Sequence, residues 1–360
     1  MKKLLALITV MIMALCMTAC GDDKQASDED AGKTEVSLII SGDIDDGGFN
    51  QVTWESIEAF CGENDLTCGH YKVKSADEAN IIGTVDKAKS HDGKLIIFAG
   101  STFDEAVYKL QNDSNYKGMY FYMIDGVPYN EDEGYELSKN SIGVLFAEEE
   151  AGYLAGYAAV MDGYTDLGFL GGEDVPSVKR YGYGFLQGIS AASTEQGLQK
   201  KINVHYGYAG TFKASDDVEK KAASWYKDGV QVIFSCGGGI VKSVINAAER
   251  SNGKIIGVDV DQSGLSDTVI TSALKGIDAA IEDVLKEYKR GNFIGNNVFN
   301  YTANNGGVGL VMDNARFKSF SQEQYDEVFS QIKNGQIKIK KDTEVKNIKD
   351  LVAKNIKIIK

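Results

Sequence analysis

The chain is 360 residues long, 43% hydrophobic and 25% charged, with a formal net charge of −14 at pH 7. The composition is that of an ordinary globular protein, and the acidic balance excludes a nucleic-acid binder, which must neutralise phosphates. Residues 35–360 exceed a usual single domain, so two lobes are expected.

Lys2 and Lys3 open the chain, followed by an apolar stretch, Leu4 to Leu15, too short to span a bilayer as a helix. Met17-Thr18-Ala19-Cys20 then supplies a small-residue cleavage site. The pattern resembles a bacterial lipobox, with Met17 where Leu is usual. It implies a signal peptide over residues 1–19, lipidation of Cys20 and anchorage to the outer face of the membrane, a plain secretory signal being the alternative. Gly21 to Thr34 (GDDKQASDEDAGKT) is polar, acidic and aperiodic, so residues 20–34 read as a tether.

The next stretch organises the chain. Ser37 to Ser41 is an apolar run of strand length, and GDIDDGGFNQVTW (Gly42 to Trp54) follows it. A strand, a Gly/Asp loop and a helix start are the first βα turn of an open parallel sheet, where ligands lie at the carboxyl ends of the strands. Asn50 is the expected helix N-cap. Asp45 and Asp46 repel a phosphate but accept hydrogen bonds from hydroxyl or amine donors, which favours an uncharged polyhydroxylated ligand. Phe49 and Trp54 offer faces for a flat ring; the competing reading is a solvated turn with its aromatics in the core.

Further strands are predicted at Lys94 to Gly100, Met119 to Asp125, Asp166 to Gly171, Val230 to Cys236, Lys254 to Asp259 and Gly307 to Met312, with helices such as Glu148 to Val160 and Asp217 to Tyr226 between them. This is the signature of βα units, so the fold class is α/β. Asp125, the run Gly237 to Gly239, and Asp259, Asp261 and Gln262 all close strands, and parallel sheets would point them into one crevice. Lys275, after the short run Val269 to Ser272, supplies a compensating positive charge.

Other motifs carry less. Cys236 to Ser243 (CGGGIVKS) fails as a phosphate loop, because glycine is absent at Cys236 and Val241, and GYGF (Gly182 to Phe185) opens no dinucleotide motif. His70, His91 and His205 have no metal-ligand spacing, so neither a metal nor a cofactor is expected. Cys61 and Cys68 flank a short Gly/Asn/Asp loop and could pair outside the cell, whereas Cys236 reads as a buried apolar residue. The lysine-rich stretch Gln331 to Lys360 reads as the solvated face of short elements, with a membrane-facing patch as the alternative.

The lipobox, D-x-G-F-N at Asp46 to Asn50, EEEAGYLAGYAA from Glu148, FLGG-EDVP with GYGFLQG, and GVDVDQ with TSALKG together resemble the basic membrane protein (BMP) family. The resemblance extends from Glu35 to about Met312. It implies a type I periplasmic-binding-protein fold and a monomeric, purine-nucleoside-binding lipoprotein of an ABC uptake system, partnered by a permease and an ATPase and not an enzyme. On this pattern lobe 1 takes residues 35–144 and 273–303, and lobe 2 takes 145–272 and 304–360. Asp46 and Asn50 would hold the base, Phe49 or Trp54 would stack on it from one lobe, and Phe212 would close the sandwich from the other. Gly238 would offer its backbone, while Asp259 and Lys275, with Asp125 nearby, would bind the ribose. A sugar or signalling-molecule receptor on the same fold and an extracytoplasmic nucleoside hydrolase remain the alternatives. A transcriptional regulator is disfavoured, because a signal and tether stand where a helix-turn-helix would sit.

Overall fold

The computed structural model describes residues 32–360, so the signal-like segment, Cys20 and most of the tether lie outside the described residues. The first group of elements is β1 (Val36–Ile40), α1 (Phe49–Glu63), β2 (Cys68–Lys72), α2 (Glu78–Ser90), β3 (Leu95–Ala99), α3 (Asp104–Asn112), β4 (Tyr120–Ile124), a hairpin of β5 (Tyr129–Asn130) and β6 (Gly134–Tyr135), and β7 (Ser141–Phe146). The chain then crosses to a second group: α4 (Glu148–Met161), β8 (Asp166–Gly171), α5 (Pro176–Glu195), β9 (Ile202–Tyr208), α6 (Asp216–Lys227), β10 (Val232–Cys236), α7 (Ile240–Ser251), β11 (Lys254–Asp259) and β12 (Val269–Lys275). It returns for α8 (Ile277–Lys289) and β13 (Asn297–Tyr301), then ends in the second group with β14 (Val308–Leu310), α9 (Gln322–Lys333) and β15 (Ile356–Ile359).

Two sheets result. One runs β13-β7-β4-β3-β1-β2, all parallel; the other runs β14-β12-β11-β10-β8-β9-β15, parallel except for β14 against β12. Central strands such as β3 (LIIFA) and β10 (VIFSC) are buried throughout, as strands covered by helices on both faces must be. Strand order reverses between β1 and β3 in the first sheet and between β8 and β10 in the second, and ligands of such sheets bind at these reversals.

The sheets divide the chain slightly differently from the expected lobes. β7 continues to Phe146, and β12 stays in the second sheet through Lys275, so the crossovers fall at 146–148, 275–277 and 301–308. The expected boundaries at 144 and 272 cut both strands short. In the basic C-terminal stretch all nine lysines are exposed, as expected of a solvated face, on short elements that include the end of α9 and an edge strand, β15, paired with β9.

Helices α4 and α5 touch backbone to backbone. A Cβ on Gly152 or Gly156 would stand 2.1 Å from the carbonyl oxygen of Tyr181 or Phe185, and one on Gly184 or Gly188 would stand 2.0 Å from that of Glu149 or Tyr153. Gly152 and Gly156 of EEEAGYLAGYAA and Gly184 and Gly188 of GYGFLQG are therefore a packing seam, which brings the first turn of α4 against the start of α5.

Candidate functional site

The loop after β1 holds its own anion. Helix α1 starts at Phe49 after an N-cap at Gly48 that has no side-chain cap, so Asn50 is not the cap; its amide donates to the Asp43 carbonyl at 3.2 Å. Asp46 takes over that role. Its Oδ1 accepts from the backbone N–H of Gly48 (2.8 Å) and Gln51 (3.2 Å), and its Oδ2 from Asn50 (3.1 Å). Burial raises its pKa, against the pull of these backbone donors. The helix start that would otherwise welcome a phosphate is thus already filled by a carboxylate.

Across the cleft stands a buried charge cluster. Lys275 closes β12, and its Nζ lies 3.0 Å from Asp125 Oδ2, 3.1 Å from Glu148 Oε1 and 3.8 Å from Asp259 Oδ1. Arg180 Nε donates to Glu148 Oε2 at 2.6 Å, and the Tyr181 hydroxyl donates to Asp259 at 3.1 Å. Asp125 and Asp259 end their strands in the left-handed region, at φ 63° and 68°, which aspartate tolerates better than most residues. Burial alone would raise the Asp125 pKa, but Lys275 and a hydrogen bond with Glu148 outweigh it and hold it at about 2. Burial pushes Glu148 to about 8 and Asp259 to about 6, with Lys275 pulling both the other way. Burial works against the charge on Lys275, yet Asp125 and Glu148 raise its pKa. Burial thus favours the protonated form of Glu148, while Lys275 favours the ionised form of Asp125 facing it.

Between these two features lies a cleft enclosing about 690 Å³ of space free of atoms, open solvent included. Both strand-order reversals open into it: Ser41 and Gly42 with Ala99 to Thr102 from the first sheet, Cys236 to Gly238 from the second. Phe49 lines it from α1, and Phe212 from the loop after β9. Gly172 and Gly237 make room for Phe212, since a Cβ on either would stand 2.5 Å or 3.2 Å from its ring. Lys275 Nζ sits 5.3 Å from the Phe49 ring centroid and 5.4 Å from that of Tyr181, within cation–π range.

The family model described as "ABC transporter substrate-binding protein PnrA-like" (Bmp) matches residues 33–346. The chain belongs to this family. As a Bmp protein it is the substrate-binding component of an ABC transporter, a role that places it outside the cytoplasm and implies permease and ATPase partners; the family is one of binding proteins and not of enzymes. It is 26% identical over 339 residues to the ABC transporter nucleoside-binding protein BmpA of Lactococcus lactis, covering 87% of this chain and 92% of that protein. It is 31% identical over 328 residues to basic membrane protein D of Borreliella burgdorferi, covering 88% and 91%. Among solved structures, an ABC transporter solute-binding protein from Aeropyrum pernix has a TM-score of 0.76 at 20% identity, covering 89% of this chain and 95% of that one. A Lac repressor structure follows at 0.54 and 13%, covering 79% and 83%. These likenesses establish the type I periplasmic-binding-protein fold and nothing further.

Of the residues singled out in the sequence of this Bmp protein, Asp46, Phe49, Asn50, Asp125, Phe212, Gly238, Asp259 and Lys275 all line the cavity. Trp54 does not: it lies further along α1, and its ring meets His70 edge-on at 4.8 Å. Asp261 and Gln262 also miss the crevice expected for them. Asp261 bonds Asn314, while Gln262 reaches the Gly47 backbone. Cys61 and Cys68 are free thiols in this structure, and not a disulfide. Sequence reading missed Glu148, Arg180 and Tyr181, along with Ser101, Thr102 and Ser177 on the cavity wall. The signal for Glu148 was available: a glutamate opening a helix at the crossover from the first sheet. Among the described residues no His/Cys/Asp/Glu group could hold a metal, and no helix is long and apolar enough to cross a membrane.

Proposed function

We propose that this Bmp protein is a lipid-anchored receptor that captures purine nucleosides in the cavity between its two sheets and delivers them to its permease. The observation that carries the proposal is the pairing, in one cavity, of Phe49 and Phe212 with the Asp259–Lys275 couple. Two rings contributed by opposite lobes suit a flat purine. The 3.8 Å gap between Asp259 and Lys275 is too long for a good hydrogen bond, but a ribose hydroxyl can bridge it by accepting from Lys275 and donating to Asp259. Asp46 and Asn50 would hold the base edge, Gly238 would offer its backbone, and Asp125 would keep Lys275 in place. A nucleotide phosphate would find the start of α1 filled by Asp46, so nucleosides are favoured over nucleotides. The word "nucleoside-binding" in the name of the Lactococcus lactis relative supports the same reading. Anchorage through Cys20 rests on the lipobox-like sequence.

The test is calorimetric titration of the full chain in mild detergent with adenosine, guanosine, inosine, cytidine, ribose and AMP, with the same mixtures assayed for free base. Saturable binding of purine nucleosides, weak binding of AMP and no released base are expected. Binding of ribose alone, or release of base, overturns the proposal. Mass spectrometry of the protein from its membrane should find a diacylglyceryl group on Cys20.

A further inference from the structure

One buried side chain spans the two lobes without lining the cavity. Gln262, 1% exposed, lies in the loop between β11 and β12. Its backbone N–H donates to Ser272 Oγ at 3.0 Å, and its Oε1 accepts from the Val258 N–H at 3.0 Å. Gly257 leaves the space for both bonds, since a Cβ there would stand 2.5 Å from Gln262 Oε1 and from Ser272 Oγ. The second lobe thus fixes this side chain, and its Nε2 donates across the cleft to the Gly47 carbonyl at 2.8 Å. Two neighbours act on the same loop of the first lobe: Lys242 Nζ donates to the Asp45 carbonyl at 2.7 Å, and Leu265 lies against Gly47. The loop they hold also carries Asp46, whose carboxylate sets the start of α1 and, with it, Phe49.

We infer that Gln262, assisted by Lys242, is a positioning residue for ligand capture: it latches the Asp45–Gly48 loop to the second lobe when the cleft is shut and so sets how long the ligand is held. The latch bonds protein to protein, and on the first lobe it sits well away from the crossover at β7. The Gly47 loop follows β1, three strand positions from the crossover at β7, or roughly 14 Å at about 4.8 Å per strand. Opening about the crossovers therefore breaks these bonds early. In the open state both partners are rehydrated, so losing the Gln262 bond should shift the closed population by about three- to tenfold, the range of one ordinary hydrogen bond. Because the latch touches no ligand, the shift should be the same for every ligand that closes the cleft, and it should appear in the dissociation rate.

The inference rests on a cleft that closes on its ligand and not on the ligand being a nucleoside. The variants are Gln262→Glu, which keeps the acceptor for Val258 and removes the donor to Gly47, and Lys242→Met. In the full chain, a donor and an acceptor dye on the exposed residues Lys117 and Lys220, attached through non-native side chains, report the separation of the lobes. The expected result in both variants is a smaller ligand-free closed fraction, together with adenosine and inosine dissociating about three- to tenfold faster, at association rates unchanged within about twofold and with an unchanged affinity ratio. An unchanged closed fraction and dissociation rate in Gln262→Glu overturns the inference. So does a loss confined to the association rate or to one ligand, which would make Gln262 a direct ligand contact. The ligand-free measurement decides the latch even if no nucleoside binds, so this inference and the proposed function fail separately.

Discussion

Glu148→Gln isolates what the buried charges do to stability. Burial raises the Glu148 carboxyl from the ordinary 4.5 to about 8, although Lys275 and Arg180 pull it down. Between those two values the folded chain keeps a proton that the unfolded chain releases, so stability falls as pH rises and levels off above about 8. Asp259, raised by burial to about 6 despite Lys275, adds to this fall between about pH 4 and 6. Asp125 has the opposite sign: held at about 2, it contributes stability above about 3.8 that is lost as pH drops toward 2. The three together place the cluster's stability maximum just below about pH 4. The variant offers an amide oxygen to Arg180 and nothing to titrate. At about 1.4 kcal/mol per pKa unit, its unfolding free energy should fall by about 3 kcal/mol less than that of the unchanged chain between pH 5 and 7.5. Urea unfolding followed by circular dichroism at half-unit pH steps and constant ionic strength measures this. Parallel curves for the two proteins would refute the idea that Glu148 holds the extra proton.

Lys275→Met leaves Asp125, Glu148 and Asp259 buried around an apolar side chain. The cost should be about 3–5 kcal/mol of stability at pH 7, shrinking in urea titrations toward pH 4 as the carboxyls take up protons. Phe212→Ala should weaken nucleoside binding by about tenfold or more in calorimetry through loss of one stacking face, whereas Trp54→Leu, outside the cavity, should leave affinity unchanged within about twofold. Gly184→Ala forces a methyl against the Glu149 carbonyl, so it should separate α4 from α5 and cost about 1–3 kcal/mol or more, seen as a lower Tm in a thermal melt.

The fully apolar strands were legible because strands covered on both faces read as continuous hydrophobic runs: the expected Asp166 to Gly171 and Lys254 to Asp259 match β8 and β11. Apart from β14, which falls within the expected run Gly307 to Met312, the edge strands were not. β2 (CGHYK), β13 (NVFNY) and β15 carry polar or exposed residues, because one side of each meets solvent or another element. β9 (INVHYGY) alternates buried and half-buried positions over its first five residues, a period-two signal that sequence could have supplied, and β7 (SIGVLF) is as apolar as the strands that were read. The site followed the same logic. Residues at strand ends were found by position, since topology brings strand ends together. Glu148 and Arg180 belong to helix starts, and only the glycine seam between α4 and α5 carries them inward. GYGF opens no dinucleotide loop, and the packing of its Gly184 on the Glu149 carbonyl depends on a helix distant in sequence. Trp54 and Phe49 share one helix element, and only their angular separation around α1 tells them apart.

The charges of the site are also the residues nearest the chain crossings. Lys275 is the last residue of β12, and the next, Gly276, bonds its N–H to Gly307 in the third crossover at 2.9 Å. Glu148 follows Ala147, whose N–H bonds Tyr301 at 2.8 Å at the edge of that same crossover, and Glu150 accepts from Ala303 at 2.6 Å. A rotation of one lobe against the other must therefore act on the backbone that carries Lys275 and Glu148, while Asp125 moves with the first sheet. The Lys275–Asp125 pair joins the lobes beside the pivot, where a small rotation changes its length little, whereas the Gln262–Gly47 bond joins them at a distance, where the same rotation breaks it. The two contacts accordingly do different work. On the proposed reading the inner one keeps a positive charge in place for the ligand whether the cleft is open or shut, and the outer one senses closure.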